Sequence, residues 1–230
     1  MEEIMGILES KVAQQSGKMS RSFSIFLFVL FVVVSCSQKE VNQSIPYYFT
    51  PEFTPFWGNI DTLEADKLHT IKNWSFTNQD GKEISQRDFN DKIYVANFFF
   101  TICPGICPNM MSNLDVLARK FRDEDKIKII SHSVTPDIDS VPKLKNYALK
   151  REIKTPQWHL VTGDKNEIYD LSRTSYFSEK EIGLNRDSTD FLHTEKFILV
   201  DTDQHIRGVY NGTLALDVDR LIEDIEILLK

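Results

Sequence analysis

Cys103 and Cys107 are the two side chains of this sequence best suited to do chemistry together, because they follow an apolar run and are separated by only three residues. Residues at positions i and i+4 of a helical turn lie one above the other. The two thiols can therefore share a metal ion or close into a small disulfide ring. A disulfide over so short a span removes little loop entropy, so stabilisation is a poor reason for the pair. The spacing favours a functional dithiol and leaves open whether it binds a soft metal or exchanges electrons.

The residues that follow the second cysteine predict a helix. Pro108 suits the first helical position, because its fixed φ is helical and its missing N–H would have no partner there. Apolar side chains then recur at three- and four-residue spacing, at Met111, Leu114, Leu117, Ala118 and Phe121. The thiols are therefore expected at a helix N-terminus, where the helix dipole and the free N–H groups favour thiolate over thiol.

The composition fits one folded domain with a tether. The chain has 230 residues, of which 41% are hydrophobic and 11% aromatic, and this is enough for one well-packed core. The formal net charge is −7, and no block of basic residues stands out. Nucleic acid is therefore not expected as a partner.

Residues 1–36 are interpreted as a signal segment. An apolar run at 23–34 follows Lys18 and Arg21, and it is too short to serve comfortably as a permanent membrane span. The end of this run, Val33-Val34-Ser35-Cys36, is similar to a bacterial lipobox, in which Cys36 becomes the lipidated first residue of the mature protein. A plain signal peptide, or a membrane anchor with an incidental cysteine, is the alternative interpretation.

The expected product is a lipoprotein of the bacterial cell envelope, held on a membrane with its domain outside the cytoplasm, on the periplasmic side. The acidic segment 1–17 does not suit a signal, so translation is expected to start at Met19. In an oxidising compartment an unprotected dithiol tends to become a disulfide. The pair therefore needs either a bound metal or a reducing partner, for which a thioredoxin-like reductant is a candidate.

The remaining sequence alternates strand and helix patterns. Residues 37–58 are predicted to be a tether whose aromatic, proline-punctuated end packs on the domain, and residues 59–230 to be that domain. A hairpin is predicted around Asp80-Gly81. Further strands are predicted at 93–100, 127–134 and 158–162, helices at 110–122, 143–150 and 164–173, a polar loop or lid at 178–189, a hairpin at 197–211 and a terminal helix at 217–230. This is an α/β layout with a mixed central sheet flanked by helices, and the dithiol at the first strand-to-helix junction favours a thioredoxin-like fold.

The segment from Phe98 to Pro108 resembles the signature of the Sco/SenC family, thioredoxin-fold copper chaperones that help to assemble the copper centre of cytochrome c oxidase. The resemblance covers about residues 70 to 230. It also includes segments 76–82, 134–140 and 158–163, and His193 ahead of the strand at 197–201.

This resemblance implies that Cys103, Cys107 and His193 are copper ligands and that the copper-site subunit of cytochrome c oxidase is a partner. The residue types agree with it, since two soft thiolates suit Cu(I) and an imidazole lets the same site accept Cu(II). Three ligands leave the metal open to the thiols of a recipient, unlike a closed structural zinc site with four ligands.

Two positions depart from the family pattern, and both changes remove negative charge near the expected site. Gly105 stands where an acidic residue is common, and Leu192 stands before His193 where the family often has Asp. Asp187 and Asp190 are candidates to replace that charge. The other histidines are given structural interpretations: His132 packed or hydrogen-bonded within a strand, His159 near a strand start, and His69 and His205 on the surface.

Two functions remain in competition. A metallochaperone that delivers copper to the oxidase, or prepares its copper site, is favoured over an enzyme, because redox exchange does not need His193. The alternative is a thiol–disulfide reductase acting on the copper-site cysteines of a partner, with one thiolate attacking and the other resolving. A peroxiredoxin-type peroxidase is disfavoured, because such proteins place a threonine three residues before the reactive cysteine, whereas Thr101 is two before Cys103.

Overall fold

The computed structural model describes residues 44–178 and 194–230, which contain nine strands of one mixed sheet and four α-helices. The strands are β1 (Tyr47–Tyr48), β2 (Pro55–Phe56), β3 (Ser75–Asn78), β4 (Glu83–Ser85), β5 (Ile93–Phe99), β6 (Ile127–Ser133), β7 (Trp158–Thr162), β8 (Lys196–Val200) and β9 (Ile206–Asn211). The helices are α1 (Cys107–Lys120), α2 (Val141–Lys150), α3 (Lys165–Asp170) and α4 (Ala215–Leu228). The predicted signal segment, Cys36, His193 and most of the predicted polar loop lie outside the described residues.

The sheet has the strand order β2-β1-β9-β8-β5-β6-β7-β3-β4. Strands β5, β6 and β7 are parallel, and the other pairs are antiparallel. Parallel neighbours require crossover connections, which α1 and α2 supply. All seven residues of β5 are buried, as its continuous apolar sequence requires at the centre of a sheet. The predicted thioredoxin-like α/β fold is confirmed, including the β3–β4 hairpin and the terminal β8–β9 hairpin followed by α4.

Element boundaries differ from the predicted ones by a few residues. Helix α1 starts at Cys107, three residues before the predicted start, and the predicted helix at 164–173 is α3 continued by a wider π-type turn at 171–175. Asp164 caps α3 as expected, since its carboxylate accepts the N–H groups of Asn166 and Glu167. Within the described ranges, no helix has the length and apolar character that a bilayer span requires.

The aromatic end of the predicted tether joins the sheet. Strands β1 and β2 pair with each other, and Tyr48 of β1 pairs with Ile206 of β9. Arg207 holds this segment in place: its guanidinium donates to the carbonyls of Ile45 (2.7 Å) and Pro46 (3.1 Å). The same guanidinium lies 3.8 Å from the ring centre of Tyr47 and donates to the buried carboxylate of Asp201 at 3.0 Å. One side chain thus ties residues 45–47 to the turn between β8 and β9.

Replacing Arg207 with Met is expected to lower the free energy of unfolding by about 3 kcal/mol, because the Asp201 carboxylate, 6% exposed, is left without its cation. Urea unfolding followed by circular dichroism measures this loss. Arg220→Met is the matched control, since Arg220 is 66% exposed in its contact with Asp217 and is expected to cost no more than about 0.5 kcal/mol. Equal losses in the two variants would contradict the anchoring role of Arg207.

Candidate metal centre

The dithiol lies where β5 passes into α1. The strand ends at Phe99, the chain turns through residues 100–106, and Cys107 is the first residue of α1, with Pro108 next. Cys107 is buried, Cys103 is partly exposed, and both thiols are free. The predicted position of the thiols at a helix N-terminus is confirmed.

The two thiols differ in their tendency to ionise. Burial raises the pKa of Cys103, but hydrogen bonds from the Cys107 thiol and from the backbone N–H groups of Cys107, Gly105 and Ile106 outweigh it, so the net pKa of Cys103 is lowered. Deeper burial, together with the bond it donates to Cys103, raises the pKa of Cys107 to about 12. Of the two thiols, the more exposed Cys103 therefore loses its proton more readily than Cys107.

A buried carboxylate fixes the loop that carries Cys103. Asp139 is fully buried, and it accepts the backbone N–H of Thr101 at 3.0 Å and the Thr101 hydroxyl at 2.5 Å. It also accepts the hydroxyls of Ser133 (2.7 Å) and Thr135 (3.1 Å), and the ammonium of Lys143 lies 3.6 Å away. These bonds tie the loop that leaves β5 to the end of β6, because Ser133 is the last residue of that strand.

The sequence interpretation missed this carboxylate, although it included the segment 134–140 in the family resemblance. The chain does carry a signal for it, since an acidic residue shortly after Ser133 and Thr135 can accept hydrogen bonds from both hydroxyls. Sequence spacing does not reveal the partner, because Thr101 lies 38 residues before Asp139.

Helix α2 borders the other side of the thiols. Arg151, just after this helix, donates to the carbonyl of Pro108 at 3.4 Å and lies over the ring of Tyr147 at 5.3 Å. Burial raises the pKa of Tyr147, the Arg151 cation beside it acts against this, and negative charge on Cys107 or Cys103 would add to the increase. A cation and a phenol thus stand beside the helix start.

No third metal ligand is found among the residues that the structure describes. Within these ranges, no group of three His, Cys, Asp or Glu side chains is close enough to hold a metal ion. The predicted ligand His193 lies outside them, as do Leu192, Asp187 and Asp190. The ligand set of Cys103, Cys107 and His193 therefore stays a prediction, of which the structure brings two members together.

The four other histidines pack or hydrogen-bond within the fold. His132 is fully buried between aromatic rings, including those of Trp74 and Phe98. Neither of its ring nitrogens has a hydrogen-bond partner, and burial lowers its pKa to about 3, so the ring is neutral. His159 accepts the amide N–H of Asn78, and its pKa is lowered to about 4, first by burial.

The surface positions predicted for His69 and His205 are wrong. His205 is buried, and it donates to the backbone carbonyl of His69 at 2.8 Å. His69 is half-buried and donates to the carbonyl of Ser175 at 2.7 Å. Both rings pack against aromatic side chains of neighbouring segments, which local sequence did not indicate.

Comparison with known proteins gives a consistent set of relatives. The family model described as SCO1/SenC matches residues 63–230. A SCO1/SenC family lipoprotein from Bacillus anthracis str. Ames is 29% identical, with a TM-score of 0.62, over 70% of this chain and 96% of that one. BsSco, described as having a disulfide switch and as a member of the Sco family of cytochrome c oxidase assembly proteins, is 28% identical, with a TM-score of 0.59 over 70% and 94%. Bradyrhizobium japonicum ScoI, solved with copper bound, is 26% identical, with a TM-score of 0.52 over 66% and 98%.

Iodoacetamide is expected to modify Cys103 before Cys107 at pH 7, because Cys103 is more exposed and has the lower pKa. The rate against pH should have its midpoint below the ordinary cysteine pKa of 9.0. Replacing Cys107 with Ala removes the donor and should raise the pKa of Cys103, which slows its modification at pH 7, whereas Cys107→Ser keeps a donor and should slow it less. Mass mapping of the modified cysteine measures both rates, and equal reactivity of the two thiols would contradict the assignment.

Replacing Asp139 with Ala is expected to cost about 3 kcal/mol of unfolding free energy, because the hydroxyls of Thr101, Ser133 and Thr135 lose their buried acceptor. The amide of Thr101 should also exchange its hydrogen faster in the folded protein. Denaturant unfolding and amide exchange measured by NMR test both effects. Asp137→Ala is the control, since Asp137 is exposed two residues away. Slow exchange at Thr101 in the Asp139 variant would contradict the role of this carboxylate.

Proposed function

Because the chain belongs to the SCO1/SenC family, we propose that it is a copper-binding chaperone that delivers copper to the copper site of cytochrome c oxidase, or prepares that site. The observation that carries the proposal is the pair of free thiols at the start of α1, Cys103 in the loop before the helix and Cys107 as its first residue, with the pKa of Cys103 lowered. The related ScoI structure with bound copper and the assignment of BsSco to the oxidase assembly proteins point the same way.

The proposed ligands are Cys103, Cys107 and His193. Contacts of the described residues next to His193 support its inclusion. The carbonyl of Glu195 accepts the N–H of Gly212 at 2.6 Å, and the carbonyl of Gly212 accepts the side-chain amide of Asn113 in α1 at 2.7 Å. Since β8 is antiparallel to β5, its first residues lie at the same end of the sheet as the loop that carries Cys103.

The two sulfurs have different tasks in this proposal. The Cys103 thiolate is partly exposed and is the sulfur that incoming copper meets first. Cys107 must lose its proton to become the second ligand, so copper uptake should release a proton and become tighter as pH rises. On delivery, thiols of the recipient replace these ligands from the open side of a three-ligand site.

A thiol–disulfide reductase is the second candidate. The difference in exposure and pKa between Cys103 and Cys107 favours it, because such an enzyme needs one attacking and one resolving thiol. The Cys103 thiolate would attack a disulfide of the partner and form a mixed disulfide, releasing one partner thiolate. Cys107 would then lose its proton and attack the Cys103 sulfur, releasing the second partner thiol reduced and leaving a Cys103–Cys107 disulfide. Each cycle passes two electrons to the partner, so a thioredoxin-like reductant must restore the dithiol.

The proposed location is outside the cytoplasm, on the periplasmic side of a bacterial membrane, with attachment through lipidated Cys36. The related Bacillus anthracis protein, a lipoprotein, supports this location. The proposed organisation is a signal segment at 1–36, a tether at 37–58 and a copper-binding domain at 59–230, with β1 and β2 bringing the end of the tether onto the sheet.

The reduced full chain, solubilised in detergent under anaerobic conditions, is expected to bind one copper ion, and His193→Ala is expected to weaken that binding roughly tenfold or more. Bound metal and the Cu(II)–thiolate absorption band are measured during titration. His69→Gln is the control, since its ring is already bonded to the Ser175 carbonyl.

Loss of affinity only in the His193 variant would support the three-ligand site. If the parent chain fails to hold copper and the His193 variant behaves like it, the chaperone function is refuted. The reductase candidate then remains, and it is tested by reduction of a disulfide in the oxidase copper-site domain.

A further inference from the structure

A surface without charged side chains adjoins the exposed thiol. Although 27% of the chain is charged, the segments 101–114 and 208–216 contain no Asp, Glu, Lys or Arg. The two segments are in contact, because the side-chain amides of Asn109 and Asn113 donate to the carbonyls of Thr213 (2.9 Å) and Gly212 (2.7 Å). The start of α1 and the approach to α4 thus adjoin each other as two segments without charged side chains of their own. Charged groups of other segments lie at the edges, where Arg151 donates to the Pro108 carbonyl and Asp217 accepts the N–H of Asn211.

Four large apolar side chains project from this region. They are Ile102 (56% exposed), Ile106 (38%), Leu214 (52%) and Leu216 (72%), and together they define the thiol-side surface. Single exposed apolar residues are ordinary on proteins, but a group of them in a region without charge indicates an interaction site. Ile102 precedes Cys103 directly, so a molecule that reaches this sulfur meets at least one side chain of the surface.

We propose that the thiol-side surface docks an uncharged, apolar, cysteine-bearing segment of the protein that receives copper or electrons from the dithiol. The inference rests on the proposed function, since either exchange needs a sulfur of the recipient within bonding distance of Cys103. Burying Leu214 and Leu216 in the complex provides the contact free energy, because apolar area is removed from water.

The first described residues of the chain lie away from the thiol-side surface. Arg207 holds Ile45 and Pro46 at the start of β9, whereas Gly212 and Leu214 follow the end of that strand. With six residues in β9, the two ends of the strand lie roughly 17 Å apart. The start of the described chain therefore leaves the thiol-side surface open to a protein partner, rather than covering it.

The lack of charged side chains in these two segments also indicates which kind of contact face the partner has. A recipient with a strongly charged face would have to lose water from those charges, and the side chains of segments 101–114 and 208–216 offer no opposite charge in return. Arg151 and Asp217 at the edges have opposite signs, so electrostatic steering is weak and the rate of association should depend little on salt. The recipient is thus expected to present apolar and uncharged side chains around its cysteines.

The test measures transfer of copper from the loaded full chain in detergent to the soluble copper-site domain of the oxidase subunit. Stopped-flow absorption gives the second-order rate constant. The variants are Leu214→Glu with Leu216→Glu, and Leu214→Ser with Leu216→Ser. Both positions lie at the start of α4, where acidic side chains are tolerated. Leu149→Glu is the control, because Leu149 is 66% exposed on α2 beside the turn at 79–80.

Both double variants are expected to retain copper as the parent does and to transfer it at least about tenfold more slowly. The transfer rate of the Leu149→Glu control is expected to stay within about twofold of the parent rate. The rate for the parent should change less than about twofold between low and physiological salt. Unchanged transfer in the double variants would overturn the proposal, as would slowing by Glu but not by Ser.

Two results would show that something other than the recipient protein binds the thiol-side surface, and either would overturn the proposal. One is a second copy of the chain, seen as concentration-dependent dimers that the double variants abolish. The other is lipid, seen as binding of the parent to phosphatidylglycerol vesicles that the double variants lose. If the copper-loaded parent itself fails to transfer copper, the proposed delivery function is refuted. This outcome differs from failure of the surface proposal, in which the parent transfers copper and the double variants transfer it equally fast.

Discussion

The thiol geometry depends on the buried carboxylate of Asp139. A charge without solvent is costly unless it is fully hydrogen-bonded, and here the donors are Thr101, Ser133 and Thr135, with Lys143 close by. Because these donors come from the loop after β5 and from the end of β6, satisfying the carboxylate joins two neighbouring parallel strands at their carboxyl ends. The loop at 101–106, which carries Cys103, then leaves the sheet in one direction and leads into α1 at Cys107.

Unequal burial gives the two thiols different chemistry within five residues of chain. Cys103 is partly exposed and accepts hydrogen bonds that lower its pKa, whereas Cys107 is buried against the core and has a raised pKa. Metal binding and disulfide exchange both begin from this state. The difference between the two candidate functions is therefore the third ligand, His193, and not the dithiol.

The two ends of β9 have different surroundings. Strands β1 and β2 precede residue 63, where the family match begins, and they extend the sheet beyond β9. The buried ion pair of Arg207 with Asp201 anchors them at the start of β9, and the contact of Gly212 with α1, on the side of the thiols, follows its end. The first described residues and the start of α1 are therefore separated by the length of this strand.

Local sequence by itself determined several features of this protein. The buried run of β5, the helix start marked by Pro108, the hairpin at Asp80-Gly81 and the family resemblance all depend on residues close together in the chain, where periodicity and turn chemistry act. Only the tertiary structure decided which groups meet across long separations. It brings Asp139 to Thr101 and Arg207 to Ile45, and it buries the ring of His205, which local sequence places on the surface. The physical reason is that hydrogen bonding and burial depend on distance in space, and a single sequence records only distance along the chain.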